Sequence, residues 1–330
     1  MYTEYFGLST KPFNMTPDPA FLYLTRQHRE ALAGLTYAIL DRKGFLVLSG
    51  TAGSGKTTLL HWVLEKLPKS RLQTSVIFNP TVTREEFLEM AMLDFGITDV
   101  PASKAQRLRE LEKLLLRGKA EGKVNVLIVD EAHKLSPELL EEVRLLGNFE
   151  SAEEKMLQIL LVGQSELDEV LGRPELFQLK QRVNVRLSLE PLSAGEVEHY
   201  IAHRWRVAGG KKAAPFTTAA TARVAELSKG IPRLVNLLCD SALVQAFGAN
   251  SAAVNPEHVE ASATDLLLWN GTAKPGVIPF KPPVAAGSAA VAGGAAVAQT
   301  PMVQSLGGNT PEARKQSFFG RWAGKLGLAS

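Results

Sequence analysis

The sequence predicts an α/β fold: a parallel sheet covered by helices, then a small helical domain, then a flexible tail. Three observations carry this expectation. Short β-rich runs alternate with helical patterns up to about residue 191, the strand-like runs then stop, and beyond Gly271 the pattern collapses into Ala, Gly and Pro. The expected boundaries are an α/β domain over 1–191, a helical domain over 192–271 and a tail over 272–330. A chain of 330 residues accommodates about two folded units. With 45% hydrophobic and 22% charged residues it has the composition of a globular protein, which excludes full disorder.

The strand-like runs are Phe45–Ser49, Ser75–Phe78, Val124–Val129, Ile159–Val162 and Val183–Leu189. The first four are nearly continuous apolar segments, as expected of parallel strands covered on both faces. From Ser193 onward the apolar spacing turns helical. Ser193 followed by Glu196 reads as a capping box, because each side chain can bond the other's backbone N–H. Helices are expected near 194–207, 217–229, 232–247 and 256–268, with breaks at Pro215, at Gly230-Ile231-Pro232 and at Asn255-Pro256. The segment Val284–Ala298 is almost wholly Ala, Gly and Val, and such small side chains bury too little surface to offset ordering entropy.

Charge is distributed unevenly. Residues 273–330 carry six basic side chains against Glu312 alone, a balance of +5, so the net +3 of the chain leaves −2 for residues 1–272. The basic character therefore resides in the tail and gives no reason to expect nucleic acid as the partner of the folded part. Cys239 is the only cysteine, which excludes an intramolecular disulfide and argues against a cysteine-based zinc cluster. The first residues show no basic region followed by an apolar run, and no stretch of about 20 strongly apolar residues occurs. A reducing, cytoplasmic location is the expectation.

Two motifs carry chemistry. Gly50-Thr51-Ala52-Gly53-Ser54-Gly55-Lys56-Thr57 fits G-x-x-x-x-G-K-[ST] at every position, between the strand Phe45–Ser49 and a helical pattern over Thr58–Leu67. This is the P-loop. Its glycines let backbone N–H groups curl around a β-phosphate, and the helix N-terminus adds a favourable dipole. Lys56 reaches the β- and γ-phosphate oxygens, the hydroxyl of Thr57 is a ligand for Mg²⁺, and Thr58 continues the loop into the helix. The second motif is Val126-Leu127-Ile128-Val129-Asp130-Glu131, an apolar strand ending in two acids. Asp130 is expected to hold Mg²⁺ through its water shell, and Glu131 to polarise the attacking water. Ala132-His133 completes a D-E-A-H string without accompanying helicase motifs, so His133 is expected to be a neighbour and not a catalyst.

One strand, Ser75–Phe78, lies between the two motifs in the chain. An inserted strand there is the mark of P-loop NTPases that carry the catalytic Glu on the second motif (the ASCE type), and it places that Glu beside the phosphate loop. If Ser75–Phe78 lies beside Val124–Val129, Asn79 falls near Glu131 and can hold it in an inactive orientation. The alternative is a turn residue before Pro80.

Taken together, the motifs resemble those of the AAA+ ATPases, and within them the general secretion pathway protein A (ExeA-type) family with its related pilus-biogenesis ATPases. The resemblance covers about residues 1–270. It rests on Tyr5-Phe6-Gly7-Leu8, Lys11-Pro12-Phe13, Thr16-Pro17-Asp18-Pro19 and Phe21-Leu22-Tyr23-Leu24 ahead of the loop. It continues in Leu161-Val162-Gly163-Gln164, Gln178-Leu179-Lys180-Gln181-Arg182 and Gly230-Ile231-Pro232-Arg233. The resemblance implies that Gln164 acts as sensor 1, that Arg182 is an arginine finger completing the site of a neighbouring subunit, and that Arg233 is sensor 2, reaching from the helical lid to its own nucleotide. It implies ATP as the nucleotide, a homo-oligomer, with a ring as the closed form, and a partner in secretion, pilus or export machinery. Full-length secretion-type members continue through one transmembrane helix to a periplasmic peptidoglycan-binding domain; the expectation from this sequence is that neither is present.

The segment ahead of the loop is expected to line the adenine pocket; its aromatics Tyr5, Phe6, Phe13 and Tyr23 form a cluster, but aromatics serve most often as core and none is assigned as a contact. His199 and His203 stand four apart on a helix without a third ligand, and a solvated face is the expectation. Cys239 is expected to pack. The run Lys104–Lys123 reads as a solvated helix. The end of the tail, Phe318 to Leu326, joins aromatic residues to cations and is a candidate for docking on a partner or on an anionic membrane surface, which would put the protein at the periphery of the inner membrane. The leading functional expectation is a Mg²⁺-dependent ATPase that drives assembly or remodelling. Two alternatives stand beside it: a DNA-associated regulator resembling transposon accessory ATPases, and an ATP-binding scaffold with little turnover.

Overall fold

The computed structural model describes residues 2–266 apart from Pro17 and Asn79. The tail and its aromatic-basic end lie outside the described residues. Chain contacts separate residues 1–271 from residues 272–330 as two units, and the first is described below.

Its centre is a five-stranded sheet, all parallel, of β1 (Phe45–Gly50), β2 (Leu72–Ile77), β3 (Val124–Val129), β4 (Leu157–Val162) and β5 (Val183–Leu189), in the spatial order β2-β3-β4-β1-β5. β1, β3 and β4 are buried along their whole length, as their unbroken apolar sequences require. β5 alternates between half-buried and exposed and forms one edge. β2 forms the other edge, buried only from Ser75 to Ile77. The expected β2 started at Ser75, but the strand begins three residues earlier, at Leu72. Gln73 and Thr74 sit on its half-covered part, where a polar residue costs little, so an apolar run understates the length of an edge strand. Ser75–Ile77 of the expected run does lie beside β3, and Phe78 falls just past the end of the strand. The strand inserted between β1 and β3 in the sheet, however, is β4 and not β2.

After a short N-terminal helix, α1 (Tyr2–Tyr5), the helices of this layer are α2 (Arg26–Leu40), α3 (Lys56–Lys66), α4 (Arg84–Asp94), α5 (Lys104–Ala120), α6 (Pro137–Leu146), α7 (Glu166–Leu171) and α8 (Phe177–Arg182). One core joins α4, α5, α6 and α7 to the sheet through Phe87, Leu111, Leu140 and Leu167. α5 buries only Leu111, Leu115 and Gly118 and turns its charges outward, as expected of a solvated helix.

The lid comprises α9 (Ala194–Val207), α10 (Thr218–Ser228), α11 (Pro232–Gly248) and α12 (Pro256–Asp265). The capping box that opens α9 forms as expected: Ser193 N–H donates to Glu196 Oε2 at 2.8 Å, and Glu196 N–H to Ser193 Oγ at 3.4 Å. A second core fills the lid, and it takes in the N-terminal segment. Tyr2, Leu8, Phe13 and Phe21 pack with Tyr200, Trp205 and Leu238, and Cys239 is buried among them. The N-terminal segment thus packs on the lid from its first residues, and its turn at Pro19–Phe21 touches both α9 and α3.

Candidate nucleotide site

The cleft between sheet, lid and N-terminal segment measures about 600 Å³. Its floor is the P-loop. β1 delivers the chain to Gly50, Gly53 and Gly55 both take positive φ (79° and 97°), and α3 starts at Lys56. Gly53 has a second reason to be glycine. A Cβ there would stand 2.7 Å from Arg233 Cβ, so its bareness lets the start of α11 approach the loop. Arg233 N–H donates to Gly53 O at 3.3 Å, which ties lid to loop.

Within the loop, Lys56 is 7% exposed and its Nζ donates to Gly50 O at 2.8 Å and Thr51 O at 2.9 Å. Burial pushes its pKa down, against the pull of Glu131, Asp130 and Glu166. Ser54 Oγ and Thr51 Oγ1 are buried hydroxyls without a hydrogen-bond partner among the described residues. Ala52, Thr57 and Thr58 join the lining. Beneath the loop lies His28 of α2, buried, with its Nδ1 2.7 Å from Thr25 Oγ1. Burial lowers the pKa of that imidazole, against a hydrogen bond with the Ser54 backbone and the charge of Glu196.

β3 brings the acids. Asp130 is 6% exposed, accepts from Thr57 Oγ1 at 3.3 Å and from Glu131 N–H at 2.9 Å, and its own N–H donates to Ile77 O of β2. Burial raises its pKa, and the Glu131 charge adds to that, against those two hydrogen bonds and Lys56. Glu131 holds a left-handed conformation, φ 54° and ψ 33°, which costs a non-glycine residue about 1–3 kcal/mol. Its Oε2 lies 3.3 Å from Lys134 Nζ and 3.6 Å from His133 Nε2.

The cleft is lined by Glu131, Lys134, Gln164 and Arg233 together with the loop. Gln164 follows β4, the strand between β1 and β3, so the sheet order itself brings Gln164 between loop and acids. Arg182 is not part of this lining: its Nη1 donates to Arg144 O at 3.0 Å and Asn148 Oδ1 at 2.7 Å, on the side of α6. Asn79 lies outside the described residues.

Residues 39–171 match the family model described as an AAA domain. General secretion pathway protein A of Aeromonas hydrophila is 43% identical over 255 residues, 76% of this chain and 46% of that protein. The chain is an AAA+ protein of the general secretion pathway protein A type. ATP-dependent target DNA activator B of Escherichia phage Mu is 25% identical over 205 residues, 59% of this chain and 60% of that protein. The chain thus spans about half the length of the curated relatives it matches. Among solved structures, the Aeropyrum pernix ORC2 protein in its ADPNP–ADP complexes aligns with a TM-score of 0.58 at 15% identity, covering 78% of this chain and 71% of that one, a likeness of fold.

The segment ahead of the loop lines the cleft of this AAA+ protein, although no contact within it is assigned from sequence and Arg204 behind it is not singled out there. Asn14, Met15, Thr16, Phe21 and Tyr23 of the N-terminal segment form one wall. Of the four aromatics considered there, only Tyr23 lines the cleft; Tyr5, Phe6 and Phe13 pack with the lid. Arg204 of α9 is 7% exposed. It donates to Pro12 O at 2.6 Å, Tyr200 Oη at 3.1 Å and Asn14 O at 3.4 Å, and stacks 4.8 Å from the Phe21 ring centroid. This guanidinium fastens the N-terminal wall to the lid. One signal was available: Val197, Tyr200, Ile201, Arg204 and Trp205 fall at helical spacing, which puts Arg204 on the buried face. Among the described residues no cluster of three or more His, Cys, Asp or Glu is placed to hold a metal ion. No described helix is long and apolar enough to cross a membrane.

Proposed function

We propose that this chain is a Mg²⁺-dependent ATPase that drives assembly or remodelling in a secretion, pilus or envelope-export system. One observation carries the reading: Lys56, Glu131, Gln164 and Arg233 converge on a single cleft whose floor joins Thr57 to Asp130. A triphosphate fits it. Lys56 is a buried cation bonded only to neutral carbonyls, and phosphate oxygens offer it the counter-charge that burial withholds. The two orphaned hydroxyls of the loop gain acceptors in the same event. Mg²⁺ favours oxygen ligands, usually one or two from protein beside waters and phosphates. Thr57 would supply one such oxygen, and Asp130, bonded to it at 3.3 Å, would hold the ion through its water shell. When bound, the ion neutralises charge on the phosphates.

The roles of the chain's own residues follow. Lys56 and the loop N–H groups hold the phosphates. Glu131 accepts hydrogen bonding from the attacking water and polarises it. Gln164 orients that water or touches the γ-phosphate. Arg233 reaches in from the lid, so nucleotide and lid position are coupled. Arg182 points away from its own cleft, which suits an arginine that completes a neighbour's site in a ring. The name of the Aeromonas relative supports a role in secretion, with the protein in the cytoplasm or at the periphery of the inner membrane.

A second reading takes its support from the phage Mu relative, described as a DNA activator. The −2 balance of residues 1–272 weighs against it, because DNA affinity draws on clustered cations. Titration with Mg·ATP tests the first reading. Lys56→Ala should weaken binding roughly tenfold or more, since it removes a charged hydrogen-bond donor from the phosphates. Undiminished affinity in that variant would contradict it.

A further inference from the structure

We propose that His133 is a positioning residue that links Glu131, the group that polarises water, to Gln164, the group beside the γ-phosphate. The inference rests on the hydrolysis reading above and deepens it. His133 sits in the 3-10 turn Ala132–Lys134 that follows β3, while Gln164 follows β4. The two ends meet because Gly163 lacks a side chain: a Cβ there would stand 3.2 Å from His133 N and 3.0 Å from Leu167 Cδ2. Gln164 N–H donates to His133 Nδ1 at 3.3 Å.

That bond fixes the tautomer. A backbone N–H can only donate, so Nδ1 is the bare nitrogen, and in the neutral ring the proton sits on Nε2. Nε2 lies 3.6 Å from Glu131 Oε2, close enough for a small rotation to complete an N–H···O bond. The imidazole therefore reads the place of Gln164 with one nitrogen and orients the carboxylate with the other. Lys134 Nζ holds the same oxygen from the exposed side. A γ-phosphate that moves Gln164 would move the ring, and with it the carboxylate, through one side chain. The D-E-A-H string thus gains a role for its last residue without any helicase chemistry.

The test compares His133→Ala, His133→Asn and His133→Gln with the wild type in the full chain. Turnover, affinity for a fluorescent ATP analogue and Tm are measured for each, and Glu131→Gln serves as the control. Asn places an acceptor where Nδ1 stood; Gln places a donor near the position of Nε2. A mispositioned catalytic group costs roughly ten- to a hundredfold in rate, so His133→Ala should lose that much kcat. Nucleotide affinity should stay within about twofold, as expected when an interaction serves the transition state alone. Asn and Gln should each recover part of the loss, and they carry the test even if the Ala variant fails to fold. Wild-type kcat in His133→Ala beside an inactive Glu131→Gln would overturn this inference alone. Affinity or Tm falling in step with kcat in all three variants would make His133 structural and overturn it too. A fully active Glu131→Gln would instead refute the hydrolysis reading beneath it.

Discussion

At the residue scale, the cleft draws its chemistry from charges and imidazoles taken partly out of water. Lys56 is shifted down and Asp130 up for the same reason, since burial penalises the charged form of each. His61 of α3 shows the consequence for stability. Burial lowers its pKa to about 4, from about 6.5 for a free imidazole. Its unfolded form therefore binds a proton that the folded form resists, so stability falls as pH drops from about 6.5 towards 4, by up to about 1.4 kcal/mol per unit. His28 shifts in the same direction. Denaturation midpoints across that range should show this slope, and His61→Gln should flatten it. The P-loop and the two acids were legible in the sequence because their neighbours in the chain are their neighbours in space. Arg204 and His28 were not, because their partners Pro12, Asn14 and Ser54 lie far along the chain.

At the element scale, strand ends place the chemistry and glycines let the elements close in. β3 and β5 end where their apolar patterns end, and α9 matches its expected span from capping box to last turn. Ser193→Ala removes that box and should cost about 1 kcal/mol, read as a lower denaturation midpoint. Gly163→Ala tests the junction between β4 and the turn carrying His133. The added methyl must displace His133 N or the Leu167 side chain. Turnover should fall more than Tm, because the strain falls on the joint between Glu131 and Gln164. Equal losses in both would show that the joint is merely a packing contact. Edge strands were less legible: β2 begins at Leu72 because a half-exposed strand start tolerates Gln73 and Thr74.

At the scale of the whole molecule, strand order and lid contact are what turn two motifs into one cleft. Neither is written in local pattern. The sequence places five strands in a row, and only the folded sheet puts β4 between β1 and β3. The lid is likewise joined to the loop by the Gly53–Arg233 approach and to the N-terminal wall by Arg204. Arg182 belongs to a larger scale still. For it to serve a neighbour's nucleotide, it must give up its bonds to Arg144 O and Asn148 Oδ1. Arg182→Ala should then bind ATP normally and hydrolyse it poorly. Mixing it with Glu131→Gln should restore part of the activity, because a site is whole again wherever the intact acid of an Arg182→Ala subunit meets the intact arginine of a Glu131→Gln subunit. Specific activity that stays constant down to a proven monomer would contradict a shared site.

The central claim is that Glu131 polarises the water that cleaves ATP in this cleft. Phosphate release in a single turnover tests it most directly, with enzyme in excess over labelled ATP and Glu131→Gln set against the wild type. Glu131→Gln should retain the nucleotide as uncleaved ATP while the wild type releases phosphate, with a rate difference of roughly a hundredfold or more. Cleavage by Glu131→Gln at the wild-type rate would contradict it.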